Sequence, residues 1–538
     1  MIRRQLLRAL LLAALLIPAG ANAQNPFGAS GSAGGPLSPE AEVFLATLET
    51  IRDYALEIQG DSLLWERAID GLIRELGDPY AAVLSRDEVR EFEESSTGNY
   101  AGIGIQISEL NEAVTITSVF RNTPAERAGL QVGDRIVGVD SDANDRWTTT
   151  DASNRIRGAP GTTVIVTVER SGITQPIAHE MRREQVHIPA VTYERVFGDI
   201  GYVLFDRVTR NSAAEVDSVL ALVQEDGVRG MILDLRQNPG GYLDESLNVA
   251  DLFLDRGSVL VTTRSRARGA AGEIREESAR ARMAPRVAGL PIVVLVDQFS
   301  ASAAEIIAGA LQDHDRALVI GDRTFGKGTV QSVIPLPEGR LIRLTSGEWY
   351  TPQGRSLNRP RDSEGRVIEP ETMEEFSSVG GRPLLGGGGV YPDLRIEPDT
   401  LTALEQMLLA AAADASIPLA TRIQEVAFEG ALRVRDQDVL PTGLPTDLRE
   451  ALITSLQTGG IAESALTPEG LSYLAWRLDV VFFQRLEAIG RSLEVQSERD
   501  SVLATAIRFL RDAENQADLF TLAEAASVSG VQAAVLPN

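Results

Sequence analysis

From Gly201 to Ile320 the sequence repeats one pattern, a short and almost wholly apolar run followed by a stretch with helical spacing. Gly201-Tyr-Val-Leu-Phe205 precedes a predicted helix at 212–224, and Gly230-Met-Ile-Leu-Asp-Leu235 precedes one at 243–254. Pro291-Ile-Val-Val-Leu-Val296 precedes a third at 302–312, and Ala317–Ile320 follows as a further strand. Runs without polar alternation belong to strands covered on both faces, and the intervening helices supply the cover. Repeated β-then-α units restrict this part of the chain to an α/β layer around a largely parallel sheet.

The flanks differ. Residues 1–23 have a basic start (Arg3, Arg4, Arg8), an apolar run from Ala9 to Ile17 and Ala21-Asn22-Ala23 as a small-residue cleavage site. These are the parts of a secretory signal, and the uncharged run meets Pro18 and Gly20 before reaching the ~20 residues of a membrane span. The expectation is an exported, periplasmic protein, soluble after cleavage. Residues 24–39 read as a flexible linker rich in Gly, Ser and Ala, and 40–97 as a helical segment. Its first helix, 39–58, carries Phe44, Leu48, Ile51, Ala55 and Ile58 as a stripe. Its second is capped by Asp61, with Leu64, Ala68, Leu72 and Ile73 facing inward. Over 98–185 the period falls to two, with strands expected at 100–107, 114–119, 135–139 and 164–168 and short helices at Thr123-Pro124 and 150–157. The α/β layer occupies 186–398, with 361–389 as a surface insertion, and 399–538 returns to helical spacing.

Composition removes several chemistries. The 538 residues carry 51 basic and 76 acidic side chains, a net charge of −25 that signal cleavage, removing three arginines and no acid, takes to −28. Such a surface repels phosphate backbones, so no nucleic-acid partner is expected. Cysteine is absent, which eliminates a thiol nucleophile and thiolate metal sites. His179, His187 and His314 lack ligand spacing, so neither metal nor cofactor is expected. Of the 51 basic residues only Lys327 is a lysine. Arginine serves wherever a fixed cation suffices, but only a desolvated lysine can lose its proton at accessible pH. Lys327 is therefore a candidate proton acceptor.

Two strand-to-helix turns frame the candidate site. Asp234-Leu-Arg-Gln-Asn-Pro-Gly-Gly241 can leave N–H groups free to face an oxyanion. Asp297-Gln-Phe-Ser-Ala-Ser-Ala-Ala-Glu305 places serines at a helix N-terminus, where Ser300 or Ser302 could cap the helix or act as a nucleophile. Lys327 follows Ser302 by twenty-five residues, one helix and one strand later. Gly321-Asp-Arg-Thr-Phe-Gly-Lys-Gly-Thr329 nearly matches a phosphate-binding loop but has Gly328 where the metal-binding hydroxyl belongs. The coherent alternative is a serine–lysine dyad. A lysine lowered by ~3 pKa units from ~10.4 can take the serine proton. Phe325 and Val330 could wall it off from water, and Gln331 could orient the amine.

Phe299-Ser-Ala-Ser-Ala-Ala-Glu305, Ala308-Gly-Ala-Leu-Gln-Asp313, Thr324-Phe-Gly-Lys-Gly-Thr-Val-Gln331, Tyr350-Thr-Pro-Gln-Gly-Arg355 and Gly389-Val-Tyr-Pro-Asp393 carry a resemblance. Together with Asp234–Gly241, they are similar to the C-terminal processing peptidases, or tail-specific proteases, over about residues 40–398. The resemblance implies a crotonase-like α/β core, Ser302 as nucleophile, Lys327 as general base and Gln331 as its orienter. It also implies an oxyanion hole from Gly240, Gly241 and the Ala303 amide. Thr123-Pro-Ala-Glu-Arg-Ala-Gly-Leu-Gln-Val-Gly-Asp-Arg-Ile136 marks 98–185 as resembling a PDZ domain, with 186–398 the peptidase core. A peptide would add as a strand, its terminal carboxylate held near Gly102, Ile103, Gly104 and Ile105. The implied function is a serine endopeptidase acting on exported proteins with accessible C-termini, with no nucleotide.

Two other readings are weighed. The chain could be a non-catalytic PDZ scaffold or an adaptor-dependent pseudo-protease. A Ser-His-Asp hydrolase using His314 and Asp313 would require the helix begun at Ser302 to break, since His314 lies ~15–18 Å along it. The stripe Leu471-Leu474-Leu478-Phe482 reads as intramolecular core, and the C-terminal helices remain a candidate contact for a second copy or an adaptor.

Overall fold

Ile292–Val296 forms a strand with every side chain buried, as its unbroken apolar run requires. In the computed structural model, which describes residues 16–17, 38–57, 60–143, 146–266, 273–362, 365–368 and 373–529, the chain divides into two units. The expected signal and linker lie outside the described residues apart from Leu16, Ile17, Ser38 and Pro39. Leu16 and Ile17 pair in parallel with Gln331 and Ser332.

The first unit takes in the described residues up to Thr97, then Leu204–Ala221 and Asp234–Arg395. In it Ile292–Val296 pairs in parallel with Leu318–Gly321, which pairs in parallel with Leu394–Arg395. Helix Ala303–Asp313 follows the central strand and is buried along its entire length. Small residues at Ala303, Ala304, Ala308, Gly309 and Ala310 let neighbours close in on all sides, the pattern of a helix sandwiched between layers. A second, antiparallel sheet runs in the order Thr329–Pro335, Leu341–Tyr350, Val259–Arg266, Ile274–Arg280, with Ala82–Leu84 added against Leu341–Arg343.

Two expectations fail in this unit. The 361–389 stretch is not merely superficial: Glu375–Ser377 pairs with Pro383–Leu385, Leu384 is buried, and Val379 N donates to Asp313 O. The N-terminal helices are Pro39–Tyr54 and Asp61–Glu75, and neither has a buried residue. Leu72, expected inward, is 67% exposed. Gly60 rather than Asp61 is the second helix's N-cap, without a side-chain cap bond.

The second unit comprises Gly98–Val203, Leu222–Leu233 and the described residues from Ile396. Its β-rich part has strands in the order Ile105–Leu110, Ala113–Val119, Arg135–Val139, Thr163–Glu169, Ile177–Arg182. The single strand expected at 100–107 is broken. Asn99–Gly102 pairs instead with Glu184–His187, and the chain turns at Gly104, whose φ of +85° favours glycine. Pro124–Ala128 and Thr149–Ile156 are the two helices, the latter begun by a Thr148/Asp151 capping box. Beyond Ile396 the unit is helical. Leu474, Leu478 and Phe482 are at most 1% exposed within a core that includes Leu408, Ile423 and Leu452, so the stripe read from the sequence packs internally.

Candidate active site

The turn after Ile292–Val296 is built by Asp297, whose Oδ1 accepts from the main-chain N–H of Gln237, Phe299 and Ser300 at 2.9–3.0 Å. Ser300 completes it: its hydroxyl donates to Leu235 O at 2.8 Å and accepts from Asp297 N at 2.9 Å. Ser302 is different. Its backbone sits at φ +58°, ψ −115°, a region that costs a non-glycine residue about 1–3 kcal/mol. Its Oγ is buried without a hydrogen-bond partner among the described residues. Of the two serines, one hydroxyl is consumed by the turn and the other is presented by it. A buried hydroxyl without a partner is uncommon enough to call for a function.

Of the two glycines expected beside Ser302, Gly240 lies against it, and Gly241 lies against the main chain of Val208. A Cβ on Gly240 (φ +90°) would come within 2.5 Å of Ala301 O, 2.7 Å of Ala303 N and 2.9 Å of Ser302 Cβ. Asn238 shapes this approach by donating its side-chain amide to Phe205 O at 2.7 Å and accepting Gly240 N at 2.8 Å. Arg236 braces the start of the turn with a bidentate pair to buried Asp234. The geometry corrects one detail: the Gly240 N–H is already donated to Asn238, so this glycine makes room rather than supplying a donor. Among the described residues the N–H groups of Gly241 and Ala303 have no acceptor.

Lys327 is drawn to the same place by a carboxylate. Glu305 is fully buried one turn into the helix. Its Oε2 accepts from Ser302 N at 2.7 Å and Lys327 N at 2.8 Å; its Oε1 accepts from Gly326 N at 2.8 Å and the Thr324 hydroxyl at 2.5 Å. Phe325 N donates to Ser300 O at 3.0 Å, a further stitch between the two segments. All four Glu305 partners are donors, an arrangement suited to an ionised carboxylate, although burial pushes its pKa up. The carboxylate also takes two of the amides that a phosphate-binding loop would offer, Gly326 N and Lys327 N, which counts against the nucleotide reading. Gly326 and Gly328 are needed for packing, since added Cβ atoms would meet Arg359 Cβ and Asn358 N at 2.7 Å.

The side chain of Lys327 is 2% exposed. Burial, and then the nearby Arg343 guanidinium, bring it down from 10.5 to about 7 against the opposing pull of Glu305 and Asp78. Its Nζ lies over the Tyr80 ring, 4.6 Å from the centroid. The wall expected from Phe325 is supplied by Tyr80 instead, since the Phe325 ring faces the Arg361 guanidinium at 3.9 Å; Val330 is buried as expected. Tyr80 is held by its own O accepting from Arg343 Nε at 3.0 Å and its N donating to Asp78 at 3.0 Å. Asp78 also accepts Thr345 N at 2.9 Å. Gln331 Nε2 donates to Thr345 Oγ1 at 2.7 Å, leaving Gln331 Oε1 buried without a partner among the described residues. Tyr80, Thr329 and Thr345 line a cavity of about 620 Å³ that extends to Asn358 and Arg361.

Sequence reasoning missed Glu305, Tyr80, Asp78 and Arg343. The first was accessible from Ser-x-x-Glu at a helix start. The others come from distant segments that only the folded sheet brings together. His314 Nε2 donates to Val259 O, 2.8 Å away, and Asp313 is bound by Arg355 and by Gln353 N, so the His-Asp alternative has no geometry. Among the described residues no group of His, Asp and Glu is arranged to hold a metal.

In the second unit, Ile105–Leu110 ends its sheet and has one edge without a strand partner among the described residues. Ile103 is buried, its O accepting from Ala125 N at 2.9 Å, and Gly104 O accepts from Phe120 N at 3.0 Å. Gly104 lies against Thr123, where an added Cβ would meet Thr123 Cβ at 2.3 Å.

The class is that of a peptidase carrying a PDZ domain. A family profile described as Peptidase family S41 matches residues 199–367, and one described as PDZ domain matches 101–179. Over 339 residues the chain is 35% identical to a carboxy-terminal-processing protease of Bartonella bacilliformis, covering 61% of this chain and 75% of that one. A probable CtpA-like serine protease of Staphylococcus haemolyticus is 32% identical over 367 residues, 68% of this chain and 71% of the other. Among solved structures, the photosystem II D1 C-terminal processing protease is 25% identical, covering 68% of this chain and 95% of that one with a TM-score of 0.36. The chain belongs to the carboxy-terminal-processing proteases of peptidase family S41.

Proposed function

We propose that the chain is an exported endopeptidase that recognises proteins by their C-terminal tails and cleaves them with a Ser302–Lys327 dyad. The observation carrying this reading is that Glu305 ties the main chain of a strained Ser302, whose hydroxyl makes no hydrogen bond among the described residues, to that of a lysine brought down to about 7. At 10.5 only about three lysines in ten thousand would be neutral at pH 7; near 7 about half are.

In the first step Ser302 Oγ attacks the scissile carbonyl carbon while its proton passes to neutral Lys327 Nζ. Gln331 Oε1 accepts an N–H of that amine and fixes its direction. The oxyanion is met by the N–H of Gly241 and of Ala303 at the helix N-terminus, donors already in place before charge develops. Lys327 then protonates the leaving amine, giving an acyl-enzyme on Ser302. Water, deprotonated by Lys327, attacks the ester; return of the proton to Ser302 Oγ releases the acid.

The open edge of Ile105–Leu110 receives the substrate tail as an added strand, with its carboxylate at Gly102–Ile105. Residues 98–185 serve as this module, 186–398 as the catalytic core, 1–23 as the signal and 24–39 as the linker.

The test incubates the enzyme with unfolded proteins differing only in their last residues, each as free acid and as C-terminal amide. Ser302→Ala and Lys327→Arg should abolish cleavage, and amidation should raise KM about tenfold with kcat retained. Undiminished function in Ser302→Ala would instead favour the scaffold.

A further inference from the structure

Arg236, Arg355 and Arg382 each end on a carboxylate, of Asp234, Asp313 and Asp315 in turn. Arg361, half-buried in the same unit, does not among the described residues. Its Nη1 and Nη2 donate to Gly365 O and Phe325 O, both at 3.2 Å, and its Cζ lies 3.9 Å from the centroid of the Phe325 ring. Its Nε is buried with no hydrogen-bond partner among the described residues. The Tyr80 hydroxyl is in the same condition. The two are neighbours: burial pushes the Tyr80 pKa up, and the Arg361 guanidinium is the strongest influence against that push. Two buried donors left open beside each other are costly unless something accepts from them.

Both side chains line the cavity of about 620 Å³, together with Thr329, Asn358 and Arg359. The one carboxylate on its wall among the described residues, Asp78, is already taken by the N–H groups of Tyr80 and Thr345. What faces an occupant is donor-rich and cationic, in a chain whose net charge is −25. A guanidinium edge beside a phenol suits a carboxylate, which can accept from both through charge-assisted bonds. The cavity also shares walls with the proposed dyad. Tyr80 carries Lys327 Nζ on its ring, and Thr329 Oγ1 accepts from Gln331 Nε2 at 3.5 Å. An extended chain advances ~3.3 Å per residue, so a side chain that enters here belongs to a residue close to the bond under attack.

We propose that this cavity is a specificity pocket for an acidic side chain of the substrate, with Arg361 Nε and the Tyr80 hydroxyl donating to an aspartate or glutamate carboxylate within about three residues of the scissile bond. It rests on the peptidase reading and deepens it. Tail recognition selects the protein to be cut; this pocket selects the bond. Elsewhere the acidic surface repels acidic chains, so the preference belongs to one position and not to the whole substrate.

The test walks a single Glu, Gln or Lys through every position of one peptide substrate whose last residues stay fixed. kcat/KM is measured with the wild type, and Kd for the same peptides with Ser302→Ala, by fluorescence anisotropy. At one position near the cleaved bond, Glu should be favoured over Gln about tenfold in both quantities, and Lys should be disfavoured against Gln. Arg361→Gln should bring the Glu-to-Gln ratio to within about twofold, and Arg361→Glu should turn the preference to Lys. Tyr80→Phe, which keeps the ring on Lys327, should lower the ratio about threefold. Each is a ratio within one protein, so a loss of folded enzyme cancels. A ratio near one at every position, or one that survives in Arg361→Gln, overturns the pocket. Peptides that bind Ser302→Ala with the expected ratio but are not cut by the wild type would refute the peptidase reading and leave the pocket standing.

Discussion

The amine of Lys327 rests on the face of Tyr80, 4.6 Å from the ring centroid. A ring face attracts a cation, so the contact taken alone would favour the ammonium. Burial and Arg343 act the other way and win, leaving the lysine at about 7. In the mechanism proposed above the active form is the neutral amine. Accordingly kcat/KM should climb tenfold per pH unit on the acid side and level off above a midpoint within about a unit of 7. A pH series with a specific peptide checks this, and a profile flat from about pH 5 to 9 would remove Lys327 as the base.

The same displacement makes a statement about stability. Because the folded-state value lies below the unfolded one, the unfolded chain binds the extra proton between about 7 and 10.5. The contribution of Lys327 to stability therefore rises with pH across that window and is least favourable below it. Lys327→Met, which keeps the volume and removes the charge, should gain several kcal/mol near pH 7 and lose that advantage toward pH 10.5. Urea unfolding of both proteins at pH 7 and about pH 10 measures it; an unchanged difference between the two would contradict the buried, shifted amine.

Glu305 joins the serine turn to the lysine loop through four donated hydrogen bonds. In Glu305→Gln an NH₂ replaces one oxygen and must face two donors. The expected cost is about 1–3 kcal/mol in stability. A fall of about 100-fold or more in kcat should accompany it, with KM little changed, if the group positions the proposed dyad from beneath, as its four buried bonds suggest. Stopped assays alongside thermal melts separate the two effects.

Gly240→Ala tests the close approach of the two turns. The new Cβ would fall within 2.5 Å of Ala301 O at a φ of +90°. Displacing Ala303 by even a fraction of an ångström misplaces a proposed oxyanion donor, for which about 100- to 1000-fold in kcat is the customary loss. Full activity in this variant would disconnect the Asp234–Gly241 turn from the site.

The sequence made the α/β layer legible because Ile292–Val296 and its neighbours are apolar without alternation, and burial on both faces leaves no other reading. Lys327 stood out by its solitude among arginines, and the twenty-five-residue interval to Ser302 matches one helix plus one strand. Local signals failed where partners were remote. Nothing near Lys327 announces Tyr80 or Arg343, which reach it through strand pairing of Leu341–Arg343 with Ala82–Leu84. The spacing in 61–75 predicts an inward stripe and the helix buries none of it, because spacing reports that a face is apolar, not what covers it. The interruption at Gly104 was hidden in a run of alternating β-branched residues, where a single positive φ reassigns two strands.

The loop bearing Lys327 is clamped from beyond. Thr324 N donates to Val390 O at 3.1 Å, Val390 N returns a bond to Thr324 Oγ1 at 2.6 Å, and Arg359 N donates to Gly326 O at 2.9 Å. Ser302 is thus synthesised nearly ninety residues before the last strut of the Lys327 loop. On the proposed mechanism, a nascent chain that has not reached Val390 would lack the clamp on its proton acceptor, and hydrolysis would wait until translation had passed that residue.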